Sequence, residues 1–117
     1  MLTEESRKDI LNTYLNLIYI ISDKEYQRKV WIQGELSGSD FDEICCLFFD
    51  DIGDPLLEHY KDFGISDDQY QLLKKFRDQF YIFSRKNDWP PEFIDTPAWD
   101  EVTLMAKEVL QAFNYRK

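Results

Sequence analysis

The sequence predicts an all-α protein, a single-domain irregular bundle of five or six helices over residues 1–117. Two observations favour this class: apolar residues recur at helical spacing, and residues that cap or stop helices stand at the ends of these stretches. Val30 and Ile32 leave a short strand possible, but no partner strand is evident. The length suits one domain with a substantial core.

The first two helices are expected between Thr3 and about Gly34. Thr3 is placed to cap the first helix. One face of that helix carries apolar residues at helical spacing: Leu11, Tyr14, Leu15, Ile18 and Ile21. Ser22 with Glu25 resembles a capping box for a second helix, which should bury Trp31. Residues 35–39 indicate a loop.

The next two helices are expected between Ser39 and Gly64. Ser39 is placed to cap the third helix, and Gly53 suits its end. Its apolar side consists of Phe41, Ile44, Cys45, Leu47, Phe48 and Ile52. Asp54 followed by Pro55 indicates the start of a short fourth helix over residues 55–63, which Gly64 ends.

Two longer helices complete the prediction. Ser66 and Gln69 form a second capping box, so the fifth helix is expected at about Asp67–Lys86. Residues 87–95 contain two consecutive prolines and indicate an ordered loop. The pair at residues 96–97, a threonine followed by a proline, starts the last helix, which should bury Trp99 and run almost to the end of the chain.

The apolar segments and the two cysteines indicate where in the cell the protein is expected. No apolar run is long enough to span a bilayer, and residues 15–21 lack the basic start and cleavage site of a signal peptide. Cys45 and Cys46 are adjacent, so they cannot form an ordinary structural disulfide with each other. Both are expected to be buried in the third helix. We therefore expect a cytoplasmic protein.

The net charge of −9 is concentrated in one part of the chain. Residues 40–68 contain ten acidic residues, and Lys61 is their only base, so this stretch alone accounts for the imbalance. Nucleic acid and anionic membranes would be repelled from such a surface, whereas a basic protein would be attracted. A basic protein partner is therefore expected, with no binding to nucleic acid or membrane.

Helix capping explains only part of the acidic stretch. Four of its residues stand at or near predicted helix starts, where negative charge is favourable: Asp40, Asp54, Asp67 and Asp68. Four others do not, and with two neighbouring aromatic residues they form the predicted partner-binding site: Asp50, Asp51, Glu58, Asp62, Tyr60 and Phe63. Asp50 and Asp51 are expected near a helix C-terminus, where either Arg28 or Lys29 of the same protein, or a lysine or arginine of a partner, could compensate their charge.

The sequence predicts no catalytic residue, metal site or cofactor. The only histidine, His59, has no recognisable nucleophile partner. Cys45 and Cys46 have acidic neighbours that disfavour a reactive thiolate. There is no calcium loop, and the glycines are scattered rather than grouped as in a phosphate-binding loop. A carboxylate- or metal-dependent enzyme that uses Asp50, Asp51, Glu58 and His59 stays an alternative.

Four segments resemble, in order and spacing, a family of small uncharacterised bacterial proteins. These are residues 25–34 with Tyr-Gln-x-x-Val-Trp, Phe49-Asp50-Asp51, residues 66–80, and residues 96–102 with Pro-x-Trp-x-x-Val. Such proteins are also similar to immunity proteins, which neutralise toxin domains of contact-dependent growth inhibition and polymorphic toxin systems. The similarity implies a cognate basic nuclease toxin as the partner; an adaptor or regulatory module unrelated to toxins is the alternative.

Overall fold

The computed structural model describes residues 3–34 and 40–115, and every regular element in these two ranges is helical. The helices are α1 (Glu4–Ser22), α2 (Lys24–Gln27), α3 (Phe41–Cys46), α4 (Gly53–Glu58), α5 (Asp67–Lys86), α6 (Pro90–Phe93) and α7 (Pro97–Ala112). A 3-10 turn, Tyr60–Phe63, joins α4 to α5. The predicted all-α irregular bundle of five or six helices is confirmed, since α6 is a single turn of four residues beside the other six helices. Within the described ranges, no helix combines the length and apolar character needed to cross a bilayer.

Two helices continue as π-helical segments. α2 continues over Arg28–Ile32, which includes both residues that left a strand possible, and α3 continues over Leu47–Asp51. At the end of each segment a backbone N–H donates to the carbonyl oxygen five residues earlier, at 2.8 Å from Gln33 and 3.0 Å from Ile52. Short π segments are frequent at functional sites, and the second one carries two of the predicted partner-binding acids.

Three predicted helix starts are confirmed. The hydroxyl groups of Thr3 and Thr96 each accept the backbone N–H three residues later, at 3.0 and 3.3 Å. Ser66 and Gln69 form the reciprocal capping box, with distances of 3.1 and 2.9 Å. These bonds satisfy N–H groups that have no partner inside the helix, so the helices begin where the sequence predicts.

The predicted start of α2 is wrong. Its cap is Asp23, whose carboxylate accepts the N–H groups of Glu25 and Tyr26 at 3.1 and 3.3 Å. Ser22 is instead the last residue of α1, and its hydroxyl donates to the carbonyl oxygen of Tyr19 at 2.6 Å. One carboxylate oxygen reaches two free amides here, which explains why the aspartate replaces the serine as the cap.

The predicted cap of α3, Ser39, lies outside the described residues. Asp40 caps α3 by accepting the N–H of Glu43 at 2.8 Å. The bounds predicted for the fourth helix are wrong, because α4 begins at Gly53 and the chain tightens into the 3-10 turn after Glu58. Gly64 ends this turn in the left-handed region, with φ 74°, where glycine carries no steric penalty.

Gly53 makes the junction between the π segment and α4 possible. It is buried, and a Cβ atom added to it would lie 1.7 Å from the backbone oxygen of Phe48 and 3.1 Å from the Tyr14 ring. No side chain fits at such distances. Asp54 follows inside the first turn of α4 and is not its cap, so that prediction is also wrong.

The loop predicted for residues 87–95 contains a helical turn, α6. Pro90 and Pro91 occupy its first two positions, where a missing N–H removes no intrahelical hydrogen bond. Trp89 before them is extended, as the residue preceding a proline prefers. The N–H of Ile94 closes the turn by donating to the carbonyl oxygen of Pro90 at 3.0 Å. The prolines therefore start a helix that the sequence reading excluded.

The core is aromatic and centres on Trp99, which is fully buried as predicted. Ring centroids of five residues lie 4.9–6.2 Å from that of Trp99: Trp31, Phe41, Phe80, Phe83 and Phe93. Trp31 is half-buried at the edge of this cluster rather than inside it. α7, which carries Trp99, packs mainly against α1 and α5, so these three long helices frame the molecule.

Gln27 is a buried polar residue that joins three helices. Its side chain is 0% exposed. Its amide nitrogen donates to the carbonyl oxygens of Ile20 and Ile21, both at 2.8 Å, and its amide oxygen accepts the indole N–H of Trp99 at 2.9 Å. All hydrogen-bonding atoms of a deeply buried amide are thus used, as burial of polar groups requires.

The two cysteines differ in environment. Cys45 is half-buried, whereas Cys46 is exposed, so the prediction that both are buried is wrong for Cys46. Adjacent residues of a helix point about 100° apart, so only one of them can face the core. Burial raises the pKa of Cys45 to about 12, and the negative charge of Asp42 adds to the effect.

Candidate protein-binding surface

The six predicted partner-binding residues lie around α4. Asp50 and Asp51 end the π segment, Glu58 ends α4, and the 3-10 turn carries Tyr60, Asp62 and Phe63. The four acids are exposed, and the two aromatic residues are half-buried. We call these six residues the acidic surface. The π segment and the 3-10 turn place them at both ends of a helix of six residues.

A recess of about 410 Å³ lies beside α4 and is lined partly by the acidic surface. Asp51, Asp62 and Phe63 line it together with His59. The remaining lining residues come from α1 and from the start of α4: Arg7, Ile10, Ile52, Pro55 and Leu56. We call it the acidic recess. It combines apolar side chains with two carboxylates, a mixture that suits a ligand with an apolar body and a polar end.

A smaller recess of about 230 Å³ lies at the junction of α4 and the 3-10 turn. It is lined by Glu58, His59, Tyr60, Lys61 and Asp62. His59 and Asp62 line both recesses, so the structure brings together five of the six predicted residues. Asp50 lines neither recess, although it is exposed beside Asp51.

Tyr60 is held by contacts within the protein. Its ring stacks on that of Tyr70 with centroids 4.1 Å apart, and its hydroxyl donates to Asp67 at 2.6 Å. The hydrogen bond to Asp67 raises the pKa of Tyr60. Tyr60 therefore fixes the 3-10 turn against the start of α5, and Phe63 is the aromatic residue of the pair that reaches the acidic recess.

Three of the four acids form no ion pair in the described part of the chain, although Arg7 lines the same recess as Asp51 and Lys61 the same recess as Glu58. None of the ion pairs formed there includes Asp50, Asp51 or Glu58. Asp62 lies 4.0 Å from Nδ1 of His59, a contact that is ionic only when the histidine is protonated. Within the described residues, Asp50, Asp51 and Glu58 are thus not neutralised by an ion pair, and their negative charge is available to a partner.

The expected internal compensation by Arg28 or Lys29 is wrong. Arg28 pairs with Asp95 at 2.6 Å, and Lys29 pairs with Glu25 at 3.1 Å. Both basic residues follow α2, and their partners lie on α2 and after α6 rather than beside the end of α3. The negative charge at the end of the π segment is therefore not balanced by the residues that the sequence suggested.

Arg77 forms an ion pair with Asp54, an acid of residues 40–68 that is not part of the acidic surface. It lies on α5, is 22% exposed at its side chain, and pairs with Asp54 at 3.2 Å. Its guanidinium group also lies 5.4 Å from the ring centroid of Phe49 and 4.9 Å from that of Tyr81. Asp54 thus belongs to the contact between α4 and α5, while the acidic surface keeps its own charges.

Nothing in the described ranges indicates a reactive centre. Those ranges hold no group of three or more histidine, cysteine, aspartate or glutamate side chains that could bind a metal. His59 is exposed, with Asp62 as its ionisable contact. The absence of catalytic, metal and cofactor sites stays a prediction from the sequence.

Compared with known protein families, curated proteins and solved structures, the chain matches none of them. The resemblance to a family of small bacterial proteins and to immunity proteins therefore stays a prediction that rests on the motifs given above.

Sequence reasoning missed the contribution of α1 to the acidic recess. Arg7 and Ile10 lie more than 40 positions before Asp51 in the chain and reach the recess only through tertiary packing. Their spacing of three residues puts them on one face of α1. This face continues to Tyr14, which was predicted to be buried. The helical spacing of apolar residues therefore identified the buried face of α1, but not the residues around α4 that it contacts.

Proposed function

We propose that this protein binds a basic protein and blocks its activity, as an immunity protein neutralises a nuclease toxin domain. The observation that carries the proposal is that three exposed acids around α4, namely Asp50, Asp51 and Glu58, form no ion pair within the described residues. Charges of this kind attract a surface of opposite sign and accelerate its association. The resemblance to immunity proteins supports the same function.

Blocking follows from the chemistry of a nuclease. Its substrate is a polyanion, so the surface that binds this substrate carries positive charge. An acidic protein surface competes for the same positive groups and excludes the nucleic acid once it is bound. The acidic surface offers four carboxylates for this contact, together with the Phe63 side chain in the acidic recess. Aromatic residues contribute strongly to binding energy when they are buried at an interface.

The test begins with the isolation of the partner. The tagged protein is purified from its native cell, and a basic protein that co-purifies is identified, expressed and assayed for nuclease activity with and without the purified chain. The proposal expects inhibition at a one-to-one ratio of the two proteins. A nuclease that retains its activity in the complex, or a partner without a basic surface, would contradict it. A basic partner with no toxic activity would favour the adaptor alternative.

Substitution of the acidic surface tests whether it is the contact. In the test variant, Asp50, Asp51 and Asp62 become asparagine and Glu58 becomes glutamine. A matched control removes four exposed acids elsewhere, namely Asp9, Asp88, Glu101 and Glu108. The test variant should weaken inhibition by at least about tenfold, because several interfacial charges are lost together. Equal weakening by the control would show that only the net charge matters.

A further inference from the structure

The acidic recess differs from the rest of the acidic surface because it has depth. Its volume of about 410 Å³ falls within the range of sites that enclose a ligand group. Ile10, Ile52 and Phe63 line it and are half-buried, and Leu56 at its base is 1% exposed. An occupant of this recess would therefore exchange water for apolar contacts along most of its length.

The charges of the recess select the occupant. Asp51 and Asp62 line it and are exposed, whereas Arg7 is the one base in its lining. With His59 neutral the lining carries a net negative charge, because Asp51 and Asp62 outnumber Arg7. The neighbouring recess adds Glu58 and Lys61, whose charges cancel. A cationic group with an apolar stem matches this combination of walls and carboxylates.

We infer that the acidic recess binds an arginine side chain of the basic partner, with the stem on the apolar walls and the guanidinium group at Asp51 and Asp62. This inference rests on the proposed function. Arginine fits better than lysine because its guanidinium group is more weakly hydrated and donates several hydrogen bonds to carboxylates. It also stacks favourably on an aromatic ring, which Phe63 supplies. Arginine side chains buried in such pockets are frequent hot spots of protein interfaces.

The first experiment needs no partner. N-acetyl-arginine amide is titrated into the isotopically labelled protein at low ionic strength, and chemical shifts are followed by NMR. The recess should bind it with a millimolar dissociation constant, as expected for a small ligand held by few contacts. The saturable shifts should include Ile10 and Phe63. N-acetyl-citrulline amide is the neutral control of nearly equal shape, and it should cause no saturable shift there.

Two neighbouring substitutions provide a matched pair. Asp51→Asn removes a carboxylate from the recess, whereas Asp50→Asn removes the same charge from a residue outside it. Asp51→Asn should weaken binding of the arginine probe about five- to tenfold, because a charge-assisted hydrogen bond is lost. Asp50→Asn should change it by at most about twofold, since Asp50 is exposed to solvent outside the recess and its charge is screened by salt. Asp62→Asn should behave like Asp51→Asn.

Three results would overturn the inference: no saturable shift at Ile10 and Phe63, equal binding of the citrulline probe, or equal effects of Asp50→Asn and Asp51→Asn. If Asp50→Asn and Asp51→Asn weakened binding of the basic partner equally, the recess would be rejected as the site of its arginine, while the proposed function would stay intact. Conversely, specific binding of the arginine probe without inhibition of any basic partner would retain the recess and reject the proposed function.

Discussion

Replacement of Gln27 by leucine tests how the core is held together. The variant keeps nearly the same side-chain length but removes the amide that joins α1, α2 and α7. The carbonyl oxygen of Ile20 still accepts the N–H of Asp23 at 3.2 Å. The indole N–H of Trp99 and the carbonyl oxygen of Ile21 lose the partner that Gln27 provides.

Each buried group left without a partner costs about 1–3 kcal/mol. Two such groups correspond to a loss of about 2–6 kcal/mol, which the added apolar surface of leucine offsets by about 1 kcal/mol. We therefore expect the free energy of unfolding to fall by about 3 kcal/mol. For a protein of this size, a loss of that magnitude is a large part of the total stability.

The assay is urea unfolding followed by tryptophan fluorescence and by circular dichroism, since both signals should change together if unfolding is two-state. Gln79→Leu is the matched control, because Gln79 is exposed on α5 and the chemical change is the same. The control should alter the free energy of unfolding by at most about 0.5 kcal/mol. A Gln27→Leu protein as stable as the control would refute the assigned hydrogen bonds.

Three further predictions concern the same core. Gly53→Ala should lower the free energy of unfolding by about 2 kcal/mol or more, measured by urea unfolding, because its Cβ would lie 1.7 Å from the Phe48 carbonyl oxygen; unchanged stability would contradict this. Tyr14→Phe should raise it by about 1 kcal/mol in the same assay, because the buried Tyr14 hydroxyl has no hydrogen-bond partner among the described residues; a loss of stability would reveal a partner. Burial raises the pKa of Cys45 from 9.0 to about 12, so the stability linked to its thiol is complete below pH 9 and is lost as pH rises toward 12. Cys45→Ala should flatten the dependence of unfolding free energy on pH over this range, whereas Cys46→Ala should not; identical slopes in both variants would refute the assignment.

The long helices could be predicted from sequence because their signals are local. In α5, the capping box at Ser66 and the apolar stripe of the following turns agree, and its bounds, Asp67–Lys86, are those expected. Short helices depend on tertiary contacts instead. At Gly53, where α4 begins, a side chain would meet the backbone of Phe48 and the ring of Tyr14 on α1. The contact with Tyr14 joins residues far apart in the chain, so no local pattern shows it.

The same distinction applies to the candidate site. Asp51, Glu58 and Asp62 are close in sequence on successive helical turns, so their gathering around α4 was predictable. The contribution of Arg7 and the hydrogen bond between Gln27 and Trp99 join residues far apart in the chain. Periodicity predicts which face of a helix is buried, but it does not identify the residues that this face meets.

The association rate constant with the basic partner, measured at increasing salt concentration, tests the central claim most directly. For the natural chain we expect this rate to fall by about tenfold or more between roughly 0.05 and 0.3 M salt, because exposed charges steer the encounter and salt screens them. The variant without the four carboxylates of the acidic surface should associate more slowly and show a nearly flat salt dependence. Equal rates and equal salt dependence for both proteins would contradict the assignment of partner binding to the surface around α4.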